Sequence, residues 1–245
     1  MNKFIQFSMI FIPALCCAGI SHAGLLASAT RVVYQQNSNE KSLILANTNS
    51  YPVLTQIWVD DGHTGPEFQN SPFAVLPPVF KLSAKENKGI RIIYNGMTLP
   101  ADRESLYWLN LYEIPAVKKD NPANEYLNLA MNTQMKIFYR PEGLKDYNVD
   151  ELQQQVQQTL IYNEKALKLE LKNPTPYYLN FTNLSISNDQ AVSKVSHEED
   201  NILAPFSTKA YTLQNLHYPE SPTNILKYQL IDDSGNSHHY STILK

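Results

Sequence analysis

Few residues in this chain have types and spacing suited to catalysis. The acidic groups Asp60-Asp61 and Glu198-Glu199-Asp200 have the composition of a carboxylate dyad or a cation site. Both lie in polar, turn-rich stretches, where such runs read as solvated loop charges. His238 and His239 adjoin in a stretch that reads as a strand, so their side chains point to opposite faces and do not converge on one metal. His63 and His217 are isolated near loops, and the chain contains no HExxH, CxxC, nucleophile elbow or glycine-rich phosphate loop. A binding protein is therefore favoured over an enzyme, with no cofactor and no metal implied. Arg31, inside ATRVVY, reads either as a rim charge of a strand or as a ligand-binding group.

Residues 1–23 are set aside as an expected secretory signal. Lys3 precedes an apolar run from Phe4 to Ile20, and Ser21-His22-Ala23 puts small residues where cleavage needs them. The expected destination is the periplasm or the exterior. Both cysteines, Cys16 and Cys17, fall in this segment, so the mature chain is expected to have no disulfide despite an oxidising compartment and to depend on apolar burial. The formal charge of −3 and the lack of a long basic block argue against nucleic acid as a partner. No later apolar run approaches the length of a membrane span.

The rest of the chain reads as all-β. Short alternating runs occur at 29–34, 41–46, 52–60, 72–82, 90–94 and 99–116, separated by turn residues. In PVLTQIWVD the inward row is Val53, Thr55, Ile57 and Val59 or its complement. The prolines of PFAVLPPVFKL suit a strand edge or a switch between sheets. About seven strands over about 110 residues, with no helical run, is the count of an immunoglobulin-like sandwich. Residues 142–158 read as a connector, with a possible helical turn from Val149, and β patterning returns from Thr159 to the end. The expected layout is a signal at 1–23, one sandwich at 24–141, the connector at 142–158 and a second sandwich at 159–245.

The stretch from Asn124 to Pro141, NEYLNLAMNTQMKIFYRP, alternates with Leu127, Leu129 and Met131 on one face. Periodicity alone is compatible with this row filling the domain's own core. It does not say whose core is filled.

LPADRESLYWLNLYEIPA, at 99–116, resembles the signature segment of the PapD-like periplasmic chaperones of the chaperone/usher pilus pathway. TRVVY, PVLTQIWVDD, FAVLPPVFKL, KIFYRP and NPTPYYLNF resemble the family's other landmarks in the same order, so the likeness spans nearly the whole chain after the signal. It implies two immunoglobulin-like domains set at an angle around a cleft. It also implies that Arg31 and Lys136 grip the terminal carboxylate of a pilus subunit, and that Leu127, Leu129 and Met131 form a donor strand completing the subunit's fold. Glu113, Arg140 and Asp233 match an interdomain salt-bridge network. The short 117–123 loop and the missing cysteines resemble the short-loop branch. The implied partners are pilus subunits and an outer-membrane usher, with a self-capping dimer open for the unloaded protein. A secreted structural or adhesive pilus component is the alternative.

Overall fold

The computed structural model describes residues 24–116, 129–163, 166–187, 192–195, 201–213 and 224–244. The first domain contains β1 (Leu25–Ala27), β2 (Arg31–Gln35), β3 (Lys41–Asn47), β4 (Val53–Asp60), a 3-10 turn at Gly65–Glu67, β5 (Phe73–Leu76), β6 (Val79–Leu82), β7 (Asn87–Tyr94), β8 (Ser105–Pro115) and β9 (Met131–Arg140). They form two facing sheets, in the orders β1-β3-β7-β5 and β2-β9-β8-β4-β6. The inward row of β4 is Val53, Thr55, Ile57 and Val59, all buried. The proline pair after Leu76 is where the chain changes sheets: β5 pairs with β7 and β6 pairs with β4, with a cis peptide between Leu76 and Pro77.

The second domain begins with α1 (Val149–Gln155) and continues through β10 (Gln157–Asn163), β11 (Ala166–Lys172), β12 (Leu179–Ser187), β13 (Val192–Lys194), β14 (Ile202–Leu203), β15 (Thr208–Thr212), β16 (Asn224–Ile231) and β17 (Ser237–Leu244). The Asn148 side chain caps α1 by accepting from the Asp150 N–H at 2.8 Å. Leu152 and Val156 belong to the second hydrophobic core. The segment expected as a connector over 142–158 is thus, from Val149 onward, packed on that domain, with Leu152 buried in the core and Val149 against it.

Both domains use one internal device. Asn47 donates to the Tyr51 carbonyl at 2.9 Å and accepts from the Asn49 N–H at 3.0 Å, while Asn173 donates to the Tyr177 carbonyl at 2.7 Å and accepts from the Thr175 N–H at 3.0 Å. Each amide is buried and also donates to a carbonyl of a distant loop, Ser83 in one case and Ala204 in the other. A buried amide with such partners ties the turn to the sandwich without leaving a polar group unsatisfied.

Candidate functional site

Strand β9 carries most of the site. It pairs antiparallel with β8 along Met131–Tyr139 and parallel with β2 along Lys136–Arg140. β2 therefore covers only half of β9. Among the described residues, no strand pairs with the β2-side edge over 131–135.

The odd-numbered face of β9 divides at the same point. Met135, Ile137 and Tyr139 are 4%, 0% and 3% exposed and sit in the first core, whereas Leu129 and Met131 are 64% and 55% exposed. One unbroken row of side chains thus fills its own domain at one end and leaves it at the other. Leu127 lies outside the described residues. Phe138 and Tyr139 are buried, Phe138 stacking near Tyr178 of the second domain at 5.9 Å and Tyr139 near Tyr94 at 4.8 Å.

Arg31 stands directly opposite Lys136 in the parallel register, so both side chains leave the same face of the sheet at the place where β2 begins. Arg31 is half-buried, and its Nη1 donates to the Ile231 carbonyl at 3.4 Å. Its Nε is buried without a hydrogen-bond partner. Burial pushes this guanidinium below its ordinary pKa, against the pull of Tyr147, Asp233 and Asp232. The Lys136 ammonium lies 4.8 Å from the centre of the Trp108 ring, a cation–π arrangement. Two cations, one with an unsatisfied buried donor, make a site suited to a carboxylate.

Arg140 is fully buried and saturated. Its Nε and Nη2 donate to Glu104 Oε1 at 2.9 and 2.7 Å, and Nη1 and Nη2 donate to Asp233 at 2.8 and 3.1 Å. Nη1 also donates to Asp146 at 3.0 Å, and the guanidinium lies 5.2 and 5.3 Å from the ring centres of Tyr147 and Tyr177. Burial lowers its pKa, but the carboxylates of Asp233 and Glu104 more than offset this and hold it above the ordinary value. The other oxygen of Glu104 accepts from the Tyr178 N–H at 2.8 Å, and Tyr147 Oη donates to Asp233 at 3.0 Å. The cluster therefore joins the two domains.

Arg140 and Asp233 meet as expected, but Glu113 does not join them, which corrects the expected network. Glu113 pairs with Met131 at the far end of β8, whereas Ser105 pairs with Tyr139 beside Arg140. Eight strand residues separate the two places, about 26 Å along the strand. Glu113 is instead buried against Gly24 and faces Thr55 across the ladder. The position that the register carries opposite Arg140 is Glu104, which the sequence reading passed over. Its signal was its place in the signature segment at 99–116, immediately before the alternating run of β8.

Asp60 is a second correction: it is not a solvated loop charge but a buried residue. Its side chain accepts from Trp58 Nε1 at 2.9 Å, Asn110 Nδ2 at 2.9 Å and the Gly62 N–H at 2.8 Å. Asp61 is exposed and accepts from the His63 and Thr64 N–H groups, which hold its carboxyl below the usual carboxylate range. His238 Nε2 lies 2.9 Å from Asp232, and among the described residues no three His, Cys, Asp or Glu side chains group as metal ligands. No described helix is long and apolar enough to cross a membrane.

The molecule is thus a two-domain β-sandwich protein in which one half of β9 leaves its own core beside a cationic pair. Residues 24–145 match the N-terminal domain of the pili and flagellar-assembly chaperone PapD, and residues 151–242 match the C-terminal domain of the pili assembly chaperone PapD. The chain belongs to the PapD family of pilus assembly chaperones. It is 32% identical over 234 residues to the probable fimbrial chaperone YadV of Escherichia coli, covering 93% of both chains. It is 33% identical over 241 residues to the chaperone protein LpfB of Salmonella typhimurium, covering 97% of this chain and 96% of that one. Among solved structures, the YadV chaperone superposes with a TM-score of 0.75 at 29% identity, covering 91% of this chain and all of that one. The Salmonella enterica SafB chaperone, solved in complex with the SafA pilin, superposes with a TM-score of 0.72 at 26% identity, covering 90% of this chain and 96% of the matched chain.

Proposed function

We propose that this protein is a periplasmic chaperone that binds pilus subunits by donor-strand complementation, caps them and delivers them to an outer-membrane usher. The observation that carries the reading is the divided face of β9: Leu129 and Met131 project where, among the described residues, no strand pairs with the adjoining edge over 131–135, next to Arg31 and Lys136. A subunit strand laid along that edge would continue the line of β2 and run parallel to β9. Its last residue would then arrive where β2 begins, placing a terminal carboxylate between the two cations. Backbone hydrogen bonds would pair the edge, and the alternate apolar side chains would enter the subunit's open groove, the mode known as β-strand addition. Each such side chain contributes about 1.5 to 3 kcal/mol when fully buried, before the cost of ordering the segment.

The expected signal over 1–23 supports a periplasmic location. An unpaired apolar edge also invites pairing between copies, so the unloaded protein would cap itself as a dimer. Co-expression with a pilus subunit tests the assignment. The subunit should be recovered with the wild-type chain and lost with Arg31→Ala or Lys136→Ala. Unchanged recovery would sink the carboxylate anchor, and incorporation of this chain into shed fibres would favour a structural or adhesive component.

A further inference from the structure

The outer face of β9, opposite its apolar row, carries Asn132, Gln134 and Lys136. Asn132 Nδ2 and Gln134 Nε2 both donate to one acceptor, Asn110 Oδ1, each at 2.9 Å. Asn110 is buried on β8, and its Nδ2 donates to Asp60 Oδ2 at 2.9 Å and to the Trp108 carbonyl at 3.2 Å. All four hydrogen-bonding positions of this amide are therefore used. Asp60, on β4, orients it from below and also accepts from the Gly62 N–H. Gly62, at φ +88°, lies so close to the Trp108 ring that a Cβ there would stand 2.5 Å from Nε1. That ring in turn faces Lys136.

We infer that Asp60 and Asn110 are positioning residues that lock the register and facing of β9 where it leaves its own core. The inference rests on the donor-strand reading only for its functional meaning. A shift of one residue would turn Leu129 and Met131 to the opposite face, and a shift of two would move them, together with Lys136, relative to Arg31 on β2. Among the described residues the strand has no second neighbour over 131–135, and its apolar row is not buried before Met135, so the β8 ladder and this side-chain network carry the specification of register. A single amide accepting from two alternate residues of β9 is satisfied in one register only.

Amide hydrogen exchange on the whole protein tests this. Asn110→Leu should speed exchange over 131–135 about tenfold while leaving 137–140 within about twofold, the pattern of a local opening. Asn110→Asp, which sets a carboxylate against Asp60, should do the same. Should Asn110→Leu not fold, the exposed pair Asn132→Val and Gln134→Val should give the same local response. Register itself is read by a disulfide between Glu113→Cys and Met131→Cys, which face each other across the ladder; its yield should fall in the Asn110→Leu background. Exchange over 131–135 that is unchanged, or that rises equally along all of β9, overturns the inference. Capture of a co-expressed pilus subunit is a separate arm. If exchange responds as stated and capture does not, the donor-strand reading fails while the positioning role stands.

Discussion

Arg31 and Arg140 project from the same face of the same sheet, on neighbouring strands, and have opposite fates. Arg140 spends every guanidinium nitrogen on carboxylates and lies between two tyrosine rings, all inside the molecule. Arg31 holds one long bond to a backbone carbonyl and keeps a buried Nε without a partner. A charge taken from water must recover its hydration from fixed partners. Arg140 does so within the chain, which makes it a joint between domains. Arg31 does so incompletely, and under the proposed function an anion from outside would complete it. On that reading, saturation separates a structural cation from a binding one where residue type and strand position do not.

The largest test of this contrast is Arg140→Ala, which strands the buried Glu104 carboxylate. Chemical denaturation should show a loss of about 3 to 5 kcal/mol. The three carboxylates around Arg140 should not matter equally, because their side chains are 2%, 35% and 82% exposed for Glu104, Asp233 and Asp146. Alanine at Glu104 should cost most, at Asp233 less, and at Asp146 no more than about 1 kcal/mol, as for exposed pairs.

Arg31→Ala should reverse the pattern. Stability should change by less than about 1 kcal/mol, while binding of a pilus subunit weakens by about 2 to 5 kcal/mol in a titration, the loss expected when one partner of a desolvated charge pair is removed. Arg31→Lys should fall between, since it keeps the charge and loses the planar fork. If Arg31→Ala destabilises as much as Arg140→Ala, the distinction between joint and anchor breaks. Met131→Asp should leave the thermal midpoint nearly unchanged, its side chain being exposed, yet weaken the same subunit titration by about 1.5 to 3 kcal/mol.

The smallest expected effect is one of pH, at the β16–β17 turn beside Arg31. Burial pushes the Asp232 carboxyl up, but hydrogen bonds from His238 and Asn236 outweigh it, so its folded pKa is lowered. A lowered folded value gives stability that is complete above the unfolded value and is lost as pH falls through the folded one. Thermal midpoints should therefore decline below about pH 4 in the wild type, and less steeply in Asp232→Asn.

Much of the fold was legible because a strand's apolar alternation reports directly which face meets a core. The row Val53, Thr55, Ile57 and Val59 is one of the two that this rule allowed, and the prolines after Leu76 marked a strand edge or a sheet switch, of which the structure takes the switch. The same rule could not say that Met135 is buried while Met131 is exposed, since both obey one period. That division is set by how far the first core reaches along β9, to Met135 and not to Met131. The acidic partner of Arg140 was misread as Glu113 for a related reason. Register between β8 and β9 is a property of the pair, and only the pair brings Glu104 to the arginine and carries Glu113 to the far end.

The sequence by itself determined an all-β chain of two sandwiches, a strand with an apolar row, and through its ordered motifs the resemblance to PapD-like chaperones. Tertiary structure decided which half of that row leaves its own core and which arginine is already satisfied. It also decided that Asp60 is a buried anchor and not a loop charge. Periodicity is set by the geometry of a single strand, whereas exposure, saturation and register are set by what the neighbouring strands and the second domain leave uncovered.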